Sequence, residues 1–152
     1  MKIYYFAYGS NLWIEQVVQR IGPVDRNDGW PRRASLAGNR LVFNMLGEDR
    51  NIYANIETAS ESSVLGVVYR CTPDALRIMD QYESGYERRQ TTVTCENGDR
   101  LEVTMYVALA DRVTTIATSP TDEYLQRIIS GATEQGLPET YIRKIISNAH
   151  KC

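Results

Sequence analysis

The chain has 152 residues, 43% apolar and 24% charged, which suits one globular domain spanning residues 1–152 and is too short for two comfortable ones. Seventeen basic against nineteen acidic side chains give a net charge of −2, without the basic surplus of a dedicated nucleic-acid binder. No apolar run approaches the roughly 18 residues of a membrane span, so a membrane partner is not expected either.

The elements follow from periodicity and punctuation. Residues 3–7 form a continuous apolar run with β-favouring Ile and Tyr, predicting a buried strand. Gly9-Ser10-Asn11 interrupts the apolar N-terminus, which makes a poor signal peptide. Leu12 to Arg20 predicts a helix with Ser10 or Asn11 near its N-cap, ended by Ile21-Gly22-Pro23. Residues 22–33 are loop-like. Strands are expected over 34–43, 53–57 and 64–71, with Gly66 marking a bulge or a close backbone approach. Thr72-Pro73-Asp74 opens a helix to about Glu83, stopped by Ser84-Gly85. Strands over 88–95 and 101–109 flank the hairpin signal Asn97-Gly98. Ser119-Pro120 starts a helix to about Gln135, and Leu137-Pro138-Glu139 opens a last one to about Asn148. No repeat or linker interrupts this mixed α/β pattern, strand-rich in the middle and helical at the end.

The chemistry is narrowed by what is scarce. Cys71, Cys95 and Cys152 are widely spaced and contain no CxxC pair, which argues against a disulfide framework or a zinc site and for a reduced, cytoplasmic protein. Cys71 and Cys95 fall in apolar strands and read as small core residues. The single histidine, His150, falls close to the C-terminus, where chains fray, so histidine-based nucleophilic systems and histidine metal sites are not expected. Carboxylates, tyrosines and backbone groups remain.

The loop at Tyr8-Gly9-Ser10-Asn11 has two readings. Gly9 lets a ligand approach the backbone, and the N–H groups of residues 9–12 at a helix start suit an anion such as a carboxylate. It also reads as a strand-to-helix turn capped by Ser10. Glu83 follows Leu76 and Met79 by seven and four residues, on the same helical face. A carboxyl on a core-facing stripe has a raised pKa, which suits a general acid and base. It also reads as a solvated helix end. Asp80 suits pairing with nearby arginines or capping a turn. Tyr8, Tyr82, Tyr86 and Tyr124 each offer a hydroxyl over an apolar wall. Arg88-Arg89 suits an anion or a solvated strand end, and Arg143, Lys144 and Lys151 read as the wet face of the last helix.

Four ordered blocks carry a resemblance. Tyr5-Phe6-Ala7-Tyr8-Gly9-Ser10-Asn11-Leu12 resembles the N-terminal signature of the γ-glutamylcyclotransferase family, and Leu65-Gly66-Val67-Val68-Tyr69 resembles its central strand. Met79-Asp80-Gln81-Tyr82-Glu83 is similar to the helix end that carries the family's catalytic glutamate. Ser119-Pro120, Tyr124, Ile128-Ile129-Ser130-Gly131-Ala132, Gly136-Leu137-Pro138 and Tyr141 resemble its C-terminal helices. The blocks run in order from residue 4 to about residue 146. One departure is Ser84, which stands where the family often has Gly directly after the glutamate; the segment from Glu83 to the next strand is also short, ending in Tyr86-Glu87-Arg88-Arg89.

The resemblance implies a small barrel-like mixed sheet with helices packed around it. It implies conversion of a small-molecule γ-glutamyl amide to 5-oxoproline with release of the amine, needing no cofactor and no metal. Glu83 is then the general base and acid. Tyr8, Gly9, Ser10, Asn11 and Leu12 hold the glutamyl group, and Tyr124 closes over it. Leaving amines of several kinds fit: an amino acid, a lysine-linked isopeptide, or a γ-glutamyl-protected biosynthetic intermediate, with Glu87 near the pocket mouth favouring a cationic one. A non-catalytic ligand-binding module of the same fold is the contrasting expectation. A homodimer is compatible with the sequence, which does not specify oligomeric state.

Overall fold

The computed structural model describes residues 1–116 and 118–150, so Lys151 and Cys152 lie outside the described residues. Among the described residues, β1 (Ile3–Ala7), β2 (Arg32–Leu46), β3 (Ile52–Cys71), β4 (Tyr86–Cys95) and β5 (Arg100–Ala108) close into a barrel in the order β1-β3-β2-β4-β5. Closure removes the free sheet edges that an open sheet of this size would present. The apolar run 3–7 is continuous because β1 is flanked on both sides. It pairs antiparallel with β3, from Ile3↔Cys71 to Ala7↔Val67, and parallel with β5 at Tyr5↔Thr104. That single parallel pairing makes the sheet mixed, as the resemblance implied.

Four helices pack around the barrel: α1 (Ile14–Ile21), α2 (Pro73–Tyr82), α3 (Asp122–Glu134) and α4 (Glu139–Ala149). Each buries an apolar stripe, with Val17, Leu76, Met79, Ile128 and Ile145 all at most 1% exposed. The start of α2 is as its sequence requires: Thr72 Oγ1 accepts from Ala75 N–H at 3.1 Å and Pro73 takes the first turn. The start of α3 differs from expectation. Thr121, not Ser119, is the N-cap, accepting from Tyr124 N–H at 3.2 Å. No described helix is long and apolar enough to cross a membrane.

The two strands expected over 53–57 and 64–71 are one long strand, β3, paired to β2 over nearly its whole length. The polar stretch between them is real but does not end the strand. Pairing passes from Asn39↔Thr58 to Ala37↔Ser63, so residues 59–62 bulge opposite Gly38. Gly66 marks a close approach: a Cβ there would collide with the Ala7 carbonyl oxygen and the Phe6 ring. Asn97-Gly98 does turn β4 into β5, with Gly98 at φ +93°.

Candidate functional site

The loop after β1 is tighter than a simple helix start. Leu12 N–H donates to Gly9 O at 3.0 Å and Trp13 N–H to Ser10 O at 3.1 Å, closing a single 3₁₀ turn over Ser10–Leu12. The α-helix begins only at Ile14. Ser10 and Asn11 do not cap it, because their side-chain oxygens accept from Gln16 Nε2 instead, at 2.8 and 2.9 Å. The N–H groups of Gly9, Ser10 and Asn11 have no acceptor among the described residues. Leu12 departs from the expected role. Its side chain is fully buried, its N–H is used within the turn, and its carbonyl accepts from Gln135 Nε2 at 3.0 Å. It anchors the loop to the core and does not line the cavity.

Glu83 lies just past the last turn of α2, below Leu76 and Met79 on the buried stripe. Tyr86 N–H donates to Glu83 O at 3.1 Å, so residues 83–86 form a turn into β4. Gly85 supplies its left-handed residue at φ +88°. Ser84 before it is exposed, and the carboxylate stands at the helix end.

The Glu83 carboxyl is half-buried and accepts from Asn11 Nδ2 at 3.1 Å. Loss of hydration pushes its pKa up to about 7; the Arg20 cation opposes this and Asp80 adds to it. Near neutral pH both protonation states are therefore populated. Asp80 is held in the opposite sense. It takes two bonds at 2.8 Å from Arg88 and one at 2.6 Å from the Tyr106 hydroxyl, which keep its carboxyl below its ordinary range.

These groups meet in one narrow cavity of ≈ 40 Å³, lined by Tyr5, Tyr8, Gly9, Ser10, Asn11, Ala54, Glu83, Tyr86, Tyr106 and Tyr124 among others. Of the residues singled out in the sequence, Tyr8, Gly9, Ser10, Asn11, Glu83, Tyr86 and Tyr124 are brought together here. The aromatic walls are pinned by backbone. Tyr8 donates to Tyr106 O at 2.6 Å, Tyr86 donates to Ala54 O at 2.7 Å, and Tyr124 accepts from Ala54 N–H at 3.1 Å. Burial raises the pKa of all of these hydroxyls, so they face the cavity as neutral dipoles.

Ser10, Glu83, Tyr86 and Tyr124 also line a wider outer basin of ≈ 590 Å³. Its charged walls are Arg20, Arg127, Glu48, Asp49 and Glu123. Glu87, expected near the mouth, is not among them: it lies on exposed β4 with Arg89 3.8 Å away. The rim carboxylates come instead from the β2–β3 turn and from α3. Arg88, considered as an anion grip, is committed to Asp80. Sequence reasoning missed Gln16, Arg20 and Arg127. Gln16 and Arg20 are four residues apart, on one helical face turned to the loop, and that spacing was the available signal.

Comparisons with known proteins bear on the family and the fold. A family model described as the AIG2-like family matches residues 63–145, more than half of the chain. No curated protein matches the sequence. A solved structure named gamma-glutamyl cyclotransferase superposes with a TM-score of 0.83 at 25% identity, covering 97% of this chain and 88% of that one. The uncharacterized protein loc79017 from Homo sapiens superposes at 0.78 with 25% identity, covering 96% and 87%. YkqA from Bacillus subtilis shares the fold at 0.79 and 23% identity, covering 99% of this chain and 55% of its own. A closed five-stranded barrel with its helices, matched over nearly the whole chain, and a family match over more than half of it lead to one conclusion: the chain belongs to the AIG2-like family and has a γ-glutamylcyclotransferase-like fold.

Proposed function

We propose that the protein is a γ-glutamylcyclotransferase-type enzyme that converts a γ-glutamyl amide to 5-oxoproline and frees the amine. The observation that carries this is a carboxyl poised near neutrality, Glu83, in the same cavity as the unpartnered N–H groups of Gly9, Ser10 and Asn11. The likeness to the gamma-glutamyl cyclotransferase structure supports it.

The chemistry is an intramolecular acyl transfer. The substrate's α-amine attacks its own γ-carbonyl carbon, forming the ring C–N bond, and the bond to the departing nitrogen breaks. Both reacting groups belong to one molecule, so holding it curled supplies much of the rate. Glu83 as carboxylate takes the proton released by the attacking amine. Glu83 as acid then returns it to the departing amine. The loop N–H groups stabilise the oxygen that gains charge during attack. Tyr8 and Tyr124 wall the glutamyl group, and the outer basin receives the leaving amine.

The test is a panel of γ-glutamyl amino acids and amines, neutral and cationic, with 5-oxoproline followed by mass spectrometry. Product from at least one member is expected. No product from any, with tight binding of a glutamyl ligand, would identify a binding module instead.

A further inference from the structure

Two side-chain amides stand between Glu83 and the basin wall, and arginines decide which way round they lie. An amide carries an acceptor oxygen on one prong and a donor nitrogen on the other, and a flip exchanges them. A guanidinium only donates. Arg127 Nη1 lies 2.9 Å from one prong of Gln16, so that prong must be oxygen. The other prong, Nε2, then donates to Ser10 Oγ and to Asn11 Oδ1, at 2.8 and 2.9 Å. Arg20 Nη1 reaches the same Asn11 oxygen only at 3.3 Å, a longer and weaker contact that pulls in the same sense without fixing the amide by itself. With its oxygen taken by two donors, Asn11 turns Nδ2 to Glu83 Oε1 at 3.1 Å and to the Tyr5 hydroxyl at 2.7 Å. Reversing both amides would set donor against donor at both arginines. Gln16 and Asn11 are only 2% and 4% exposed, so water cannot relieve such a conflict.

We propose that Gln16 and Arg127 are positioning residues for Glu83: a relay from α3 through α1 to the loop fixes the polarity of the Asn11 amide and keeps a donor, never an acceptor, on the Glu83 carboxyl. The inference rests on the proposal that Glu83 carries the proton. A donor on Oε1 favours the carboxylate and opposes the loss of hydration, so the relay works against the rise that burial causes. The charged groups acting on Glu83 are Arg20 on α1 and Asp80 on α2. Tyr5, Tyr8, Tyr86, Tyr106 and Tyr124 surround it from β1, the loop, β4, β5 and α3 with hydroxyls that burial keeps neutral. Arg127 acts on it through the two amides.

An NMR titration of the Glu83 side-chain carboxyl reads this without turnover. Gln16→Met removes the donor to Asn11 without changing charge, and Arg127→Met removes the group that orients Gln16. Both should raise the Glu83 midpoint by about one pH unit, while Arg127→Lys, still donor-only, should leave it in place. An unshifted midpoint in Arg127→Met, or an equal rise in Arg127→Lys, would overturn the relay. Arg127 is partly exposed and faces the same basin as Glu83, so a rise in Arg127→Met that high salt abolishes is loss of its charge and overturns the relay, while a rise that persists in high salt supports it even if Gln16→Met fails to fold. Absence of 5-oxoproline from the wild type would sink the proposed activity and leave this titration readable; an unshifted midpoint would sink the relay and leave the activity standing.

Discussion

Glu83 sits just past the end of α2, where a carboxyl is both carried inward by the apolar stripe and released from helical geometry, at φ −101° and ψ 45°. Burial raises its folded pKa from an ordinary 4.5 to about 7. Between those values the folded protein binds more protons than the unfolded chain, so this residue lowers stability as pH rises through the window. Glu83→Gln removes that penalty. The melting temperatures of the two proteins should coincide near pH 4 and separate above pH 7, with the variant higher by about 2–4 °C for each kcal/mol relieved. A gap that does not change between pH 4 and 8 would contradict the raised pKa. Carboxylates with a lowered pKa, such as Asp25, whose stabilisation is lost in acid, are common to both proteins and cancel in the comparison. The inward face of Glu83 was legible in the sequence because Leu76 and Met79 share its helical phase. The donor from Asn11 was not, because it joins residues 72 positions apart through a loop whose turn type no local pattern specified. The burial of Leu12 follows from its apolar character, whereas its place behind the cavity wall depends on the same turn.

Elements meet the site through close approaches that glycines permit. Gly131 on α3 lies against the backbone of Leu12 and Trp13, so a Cβ there would collide with the carbonyl carbon of Leu12 and the nitrogen of Trp13. Gly131→Ala should therefore cost at least about 1–3 kcal/mol in denaturant unfolding, since backbone cannot yield as a side chain can. It should also lower turnover by displacing the loop that carries Gly9, Ser10 and Asn11. A variant as stable and active as wild type would show that α3 does not set the loop. The element boundaries were legible where local chemistry decides them, as at Thr72-Pro73 and Asn97-Gly98. They were missed where pairing overrides composition. Ser60, Glu61 and Ser62 lie in a bulge out of the ladder, and no short polar window can distinguish such a bulge from a loop between two strands.

At the scale of the molecule, barrel closure gathers five remote segments, residues 5–11, 54, 83–86, 106 and 124, at one cavity. The inner cavity is narrow and walled by pinned tyrosines; the outer basin is far wider and bounded by the β2–β3 turn and α3. The proposed reaction then divides its specificity. Lengthening or shortening the acyl chain by one methylene should lower kcat/KM by at least about 100-fold, since both the curled geometry and the ring size are lost. Changing the size of the leaving amine should matter less. Equal tolerance at both ends would argue against glutamyl recognition in the inner cavity. The barrel was expected from ordered blocks of resemblance, whereas the basin's charges were not, because they arise only when α1, α3 and the β2–β3 turn come together. The most direct measurement is the rate of 5-oxoproline release from the best substrate of the panel by wild type and by Glu83→Gln, with both proteins shown to be folded. The account predicts ready release by the wild type and at least about a 1000-fold loss in the variant. Turnover by Glu83→Gln within tenfold of wild type would contradict it.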